Sequence, residues 1–282
     1  MEAKAKKTFN NVVYHVLVTL FAFVMIYPVL WMVFGSFRTS NEILKSAGQL
    51  LPSEWHFENY PTGWMGFAGH GFDTFFKNSL FISAVATIGA VASSSVVAFG
   101  FSRCRFRSKN LWFSCMILSM MMPFQILMIP QYIMFNKFGW VGTYLPLIVP
   151  QFFGQGFFIF LDVQFIKGIP IDLDEAAKID GLSIYGIFLK IILPLIKSAL
   201  VTSAIFSFMW RWDDFLAALL YLNNPAKYPV SLALKLFSDP ATGSDWGAMF
   251  AMASLSILPI FIIFLTMQKY LVEGIASTGI KN

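Results

Sequence analysis

Charge is scarce in this 282-residue chain: only 12% of its residues are Asp, Glu, Lys or Arg, about half the share of an ordinary soluble domain. Against that stand 57% hydrophobic residues, among them 32 Phe and 14 Met. A water-soluble fold of this length has no interior large enough to hide so much apolar surface. The composition therefore excludes a soluble globule and indicates an integral membrane protein. Cysteine is scarcer still, and Cys104 and Cys115 supply neither a disulfide framework nor a metal-ligand spacing. His15, His56 and His70 share no ligand spacing either, and no Ser/His/Asp or Cys/His set is supported. No G-x-x-x-x-G-K-[ST] run occurs, so the chain has no P-loop with which to cradle nucleotide phosphates. No internal repeat or low-complexity tract is evident.

What the chain does have is long apolar runs. Six reach spanning length, at about 12–34, 80–101, 111–135, 141–163, 198–222 and 246–271. The first follows a basic start, MEAKAKKTFNN. It is too long for a signal-peptide core and no small-x-small site follows it, so it is expected to be a retained helix. The net charge of +5 fits topology rather than nucleic-acid binding, because basic residues in a membrane protein mark the cytoplasmic side. Arg103, Arg105, Arg107 and Lys109 crowd one short loop, and the overall split between faces is about thirteen to six. The expectation is six spans with both termini, and the 169–194 loop, in the cytoplasm.

Several runs are interrupted. Pro123 and Pro130 fall in the third, Pro146 and Pro150 in the fourth, Pro259 in the sixth. Interior proline removes a backbone bond and kinks a helix; in a membrane the freed groups must be satisfied by protein or by a cavity. Gln125, Gln131, Gln151 and Gln155 accompany these prolines, which favours a translocation path over packing kinks. The cluster Trp210-Arg211-Trp212-Asp213-Asp214 lies inside the fifth run. Charge at that depth faces the bundle interior or water. Arg211 paired with a carboxylate for packing, and tryptophans and carboxylates contacting a sugar, are equally open readings.

The loop DEAAKIDGLSIYGIFLKIILP carries its own instructions. Asp172 is placed to cap a short helix, with Glu175 as its capping-box partner. Asp174 and Glu175 suit the positive end of the helix dipole. Ala176 and Ala177 favour helix with little bulk, and Gly181 can take the left-handed turn that ends it. Ser183 can cap a second helix that stops at Pro194. Small residues edged by charge suit a docking element; an amphipathic helix resting on lipid is the plain alternative.

Glu175-Ala176-Ala177, then Gly181, then Ile191-Ile192-Leu193-Pro194 resemble the EAA loop of ABC importer permeases. Ser198 departs from the proline common there. The resemblance runs along nearly the whole chain, through Tyr27-Pro28, Gly35-Ser36-Phe37-Arg38, Phe76-Lys77-Asn78-Ser79-Leu80, Ala98-Phe99-Gly100-Phe101-Ser102-Arg103, Pro130 with Gly139 and Thr143, Trp212-Asp213-Asp214-Phe215, Asp245-Trp246-Gly247 and the tail from Gly274 to Lys281. Asp213 stands where the pattern usually has asparagine. The subfamily is similar to the second, smaller permease of maltose-type transporters.

This resemblance implies an all-α membrane fold of the type I (MetI-like) importer class. It would be a single permease domain over 1–282, with six transmembrane helices and a cytoplasmic coupling helix in the 169–194 loop. It implies a second homologous permease, two ATPase subunits that bind ATP and Mg, an extracytoplasmic solute-binding protein and a sugar substrate. No cofactor, metal, nucleic acid or catalysis is expected of this chain itself. The ATPase-docking residues would be Asp174, Glu175, Ala176, Ala177, Asp180 and Gly181. Path candidates are Gln125, Gln151, Gln155, Trp212, Asp213 and Asp214. The outer loop from Pro229 to Asp245 would meet the binding protein, and the tail from Gly274 to Asn282 would reach toward the ATPases. An oligosaccharide is the expected cargo, with a monosaccharide or polyol derivative as the alternative. A secondary carrier, favoured by inverted repeats, and a membrane enzyme using Asp213 and Asp214 are the readings of another class.

Overall fold

A computed structural model describes residues 2–45, 48–237 and 245–279. It is helical, and no strand occurs among the described residues; the one bridge joins Phe67 and His70. In chain order the helices are α1 (Glu2–Gly35), α2 (Ser40–Lys45), α3 (Asn59–Met65), α4 (Phe72–Arg103), α5 (Lys109–Met120), α6 (Phe124–Lys137), α7 (Leu145–Ile148) and α8 (Gly156–Gly168). After them come α9 (Asp172–Ile179), α10 (Ile184–Ile187), α11 (Leu193–Leu195), α12 (Lys197–Trp212), α13 (Phe215–Tyr221), α14 (Val230–Phe237) and α15 (Trp246–Gly279). Part of the expected outer loop, 238–244, and the end of the tail, 280–282, lie outside the described residues.

Four stretches are long and apolar enough to cross a bilayer: Phe9–Gly35, Phe72–Arg103, Leu145–Gly168 and Trp246–Tyr270. Two further runs are bent pairs. The third expected span is α5 and α6 at 100° to each other, and the helix pair Ile184–Leu195 and Lys197–Trp212 meets at 75°. The third run is therefore a broken element rather than one kinked helix over 111–135. Its break falls at Met121–Pro123, where Pro123 takes an extended ψ of 139°; Pro130 stays inside α6, as Pro259 stays inside α15. The fifth run, expected whole over 198–222, divides at Asp213–Asp214 between α12 and α13.

Contacts divide the chain into two compact units, Met1–Phe72 with Leu234–Ile257, and Asp73–Ala233 with Leu258–Asn282. In the first, Arg38 is fully buried and its Nη2 donates to the carbonyls of Gln49 at 2.5 Å and Leu51 at 2.7 Å. Asn59 Nδ2 donates to the carbonyls of Ser36 and Arg38, both at 2.9 Å. A loop without ladder bonds thus has its carbonyls satisfied by two buried side chains. Gly247 packs on this turn so closely that a Cβ there would stand 2.5 Å from the Arg38 carbonyl. Among the described residues, none in the most apolar part of α1 is buried, as suits a helix whose apolar surface faces lipid.

In the second unit, α4 is the central rod. At its start Asn78 Nδ2 donates to the carbonyls of Ala226 and Tyr228 at 2.9 and 3.0 Å, and Ser79 Oγ accepts from Val230 N at 2.7 Å. Midway it supports the broken fourth run. There α7 passes into a 3₁₀ turn, Val149–Phe153, and Gly154 at φ +82°. The break frees backbone groups inside a membrane-depth segment, and α4 serines satisfy them. Gly154 N donates to Ser93 Oγ and Gln155 N to Ser94 Oγ, each at 3.0 Å. At the far end of α4 one core gathers Ala98, Phe99, Ile159, Val163, Ile166, Ala177, Ile187, Ile192 and Ala199. It seats the 169–194 segment on α4, α8 and α12.

Candidate functional site

Two sites arise from this arrangement, a short exposed helix and a polar cleft. The helix is α9. Asp172 is its first residue rather than its cap: the preceding Ile171 occupies that position, and no side chain caps it. The acidic group Asp172, Asp174 and Glu175 sits in the first turn, where it complements the helix dipole. The other end follows the sequence expectation. Gly181 has φ +81°, Gly181 N donates to Lys178 O at 3.0 Å and Leu182 N to Ala177 O at 2.9 Å. Those two bonds are the Schellman pattern that glycine makes possible. Ser183 Oγ then accepts from Gly186 N at 3.2 Å and starts α10. The second helix ends at Leu195, one residue past Pro194, where the chain bends by 75° into α12. A π turn over Phe188–Ile192 widens the coil, and Pro194 sits in the first turn of α11. The wider turn accommodates a ring that has no N–H to offer the regular ladder.

Helical spacing sorts the residues expected to dock onto two faces. Asp174 and Ala177 point inward, 3% and 4% exposed. Glu175, Ala176, Asp180 and Gly181 are exposed, together with Leu173, Tyr185 and an almost bare Ile179. Apolar side chains displayed beside charge, next to a glycine where an added Cβ would meet no other group of the described residues within 4 Å, form a surface suited to a protein partner. Inward-facing Asp174 meets Arg103, the last residue of α4: Nε lies 2.8 Å from Oδ2. Nothing in the local sequence announces this pair, because its members belong to separate elements.

The cleft, about 420 Å³, lies in the second unit between α6, the broken fourth run and the α12–α13 junction. Of the path candidates it takes in Gln151, Gln155 and Asp214, and it adds Gln131, Trp210, Arg211 and Tyr221. Asp214 does several jobs at once. Its Oδ1 accepts from Ala217 N at 3.1 Å, capping α13, and its Oδ2 lies 2.9 Å from Arg211 Nη1. The ion pair leaves the cleft without net charge. The other candidates lie elsewhere. Trp212 is 2% exposed and stacks on Phe208 with centroids 5.6 Å apart. Asp213 and Gln125 are exposed away from the cleft lining. Trp210, rather than Trp212, lines the cleft, its ring stacked on Phe158 at 5.3 Å.

The sequence reading also passed over Asp162. It lies in α8, fully buried, with neither carboxylate oxygen hydrogen-bonded among the described residues. One acidic residue inside GFFIFLDVQFIKG was the available signal.

Broken helices around a polar cleft, with an exposed helical element at one end, define a membrane transport component. Residues 87–277 match the family described as "Binding-protein-dependent transport system inner membrane component", and the chain belongs to that family. It is 33% identical over 264 residues to the probable ABC transporter permease protein YurM of Bacillus subtilis, covering 93% of this chain and 86% of that one. It is 31% identical over 264 residues to the arabinooligosaccharides transport system permease protein AraQ of Halalkalibacterium halodurans, covering 93% of each. A chain in the crystal structure of a bacterial ABC transporter involved in the import of the acidic polysaccharide alginate shares the fold, with TM-score 0.80 and 22% identity over 94% of this chain and 97% of that one. The chain is an inner-membrane ABC importer permease of all-α, MetI-like fold, and not an enzyme.

Proposed function

We propose that this permease forms half of an ATP-driven pathway for an oligosaccharide delivered by a solute-binding protein, beside a second, homologous permease. Two ATPase subunits carry ATP and Mg, and one of them receives α9. Both termini and the 169–194 segment face the cytoplasm. The observation that carries this reading is the two-faced α9 with its Schellman end. Glu175, Ala176, Asp180 and Gly181 are offered outward, while Asp174 and Ala177 hold the helix to its own chain. The arabinooligosaccharide relative supports the cargo class, and the cleft supplies suitable chemistry. Its amides and the Tyr221 hydroxyl can exchange hydrogen bonds with sugar hydroxyls, and the Trp210 ring can stack on a sugar face. ATP-driven closure of the ATPases would move the docking helices and switch the opening of the path, a two-state change biased by nucleotide and loaded binding protein.

Affinity purification in mild detergent, with mass identification of every companion, tests this. A second permease and an ATPase are expected, with the ATPase lost in Gly181→Trp. A chain that purifies alone and transports sugar in liposomes without ATP would overturn the proposal. Uptake competition by neutral oligosaccharides, uronate oligosaccharides and monosaccharides then decides the cargo.

A further inference from the structure

The helix that would dock an ATPase must pass its displacement to the spans, and the structure holds one contact suited to that. Arg103 closes α4, whose opposite end is fixed by Asn78 and Ser79 to the 226–230 segment. Its guanidinium reaches both sides of the junction into α9. Nη2 donates to the Ile169 carbonyl at 2.8 Å, at the end of α8, and Nε stands 2.8 Å from Asp174 Oδ2, in the first turn of α9. The second contact is Coulombic, since neither Nε nor the other carboxylate oxygen of Asp174 makes an aligned hydrogen bond.

Burial makes the pair strong in one respect. The side chains are 9% and 5% exposed, so salt screens them little, and removing either partner leaves a buried charge without compensation. The other attachment of α9 is apolar, through Ala177 to the core around Ile187 and Ile192. Apolar contact is non-directional and permits sliding, whereas a planar guanidinium held at two points fixes direction. The helical ladder is interrupted on both sides of α9, by Ile169-Pro170 before it and by a left-handed Gly181 after it, so neither neighbouring helix continues into it.

We propose that Arg103 is a positioning residue that transmits motion of α9 to α4, acting through Asp174 and the Ile169 carbonyl, so that ATP-driven movement at the docking helix reaches the cleft. This rests on the importer reading above.

The test uses the assembled importer, with Cys104 and Cys115 replaced by serine and a reporter at Gln155→Cys. The rate of maleimide labelling is compared without nucleotide and with Mg-ATP plus vanadate. In the parent complex that ratio is expected to change. Arg103→Gln should keep ATPase co-purification and basal hydrolysis but lose the change in labelling, a coupling loss of about tenfold. Arg103→Lys, which restores the charge but not the two-point guanidinium, should recover only a minor part of it. Two outcomes overturn the proposal. One is an undiminished labelling response in Arg103→Gln. The other is a parallel loss of ATPase binding and response in both variants, which would make the pair a support of the docking face only. A parent complex without an ATPase would instead be a failure of the importer reading itself.

Discussion

The amide of Gly154 donates to the hydroxyl of Ser93 at 3.0 Å. Through that bond α4 holds open a break in the fourth run, and the same break delivers Gln151 and Gln155 to the cleft. The single Ser93 proton is shared between the Gly89 carbonyl at 2.7 Å and the Gln151 carbonyl at 3.1 Å. Removing the hydroxyl leaves a donor unsatisfied where water is scarce, a cost of about 1–3 kcal/mol. Ser93→Ala is expected to lower the thermal midpoint of the detergent-solubilised protein, and to do so more than Ser119→Ala, whose exposed hydroxyl only bonds back to Met116 O. Equal midpoints for the two variants would mean that the break is held by something else.

Gly247 admits no side chain. A Cβ would meet the Arg38 carbonyl and Asn59 Nδ2, each at 2.5 Å, and both belong to the bonded turn that the two buried polar residues maintain. Gly247→Ala therefore forces a backbone shift of the kind that costs about 1–3 kcal/mol or more. The expected reading is reduced yield of folded protein and earlier cleavage by protease in the first unit. Wild-type yield and protease resistance would show that the turn yields freely.

At Gly181 the penalty is conformational rather than steric, since a Cβ there would point into open space among the described residues. A residue with Cβ at φ +81° costs about 1–2 kcal/mol. Gly181→Ala should loosen the last turn of α9 while leaving the membrane part intact. ATPase co-purification is the quantity to follow. It should weaken in Gly181→Ala and recover in Gly181→Asn, because asparagine tolerates the left-handed region better.

Asp162 presents the opposite case, a group whose removal should help. Its carboxylate is fully buried with neither oxygen bonded among the described residues. Asp162→Val takes away a polar group that has no partner to leave behind, so the thermal midpoint should hold or rise. A clear fall would reveal a partner supplied by another subunit.

The sequence by itself determined what is local or additive. A charge share of 12% and six apolar runs decide for a membrane, because transfer energies add along the chain whatever the fold. Gly181 and Ser183 dictate the turn after α9, since each acts on backbone groups within a few residues. Only the tertiary structure decided which faces meet. Trp210 and Trp212 differ by about 200° around one helix, and in a run apolar on all sides no periodicity tells which of them lines the cleft. Prolines marked where spans could break, yet Pro123 lies at a sharp break while Pro130 and Pro259 remain inside helices. In the fourth run the break falls at Gly154–Gln155 rather than at a proline, and α4 supplies the bonds to its freed amides through Ser93 and Ser94. Arg103 and Asp174 are far apart in the sequence and each looks like a topology charge or a helix-dipole residue. Packing of α4, α8 and α9 around one core brings them within 2.8 Å, and a contact between distant elements leaves no trace in the local pattern of either.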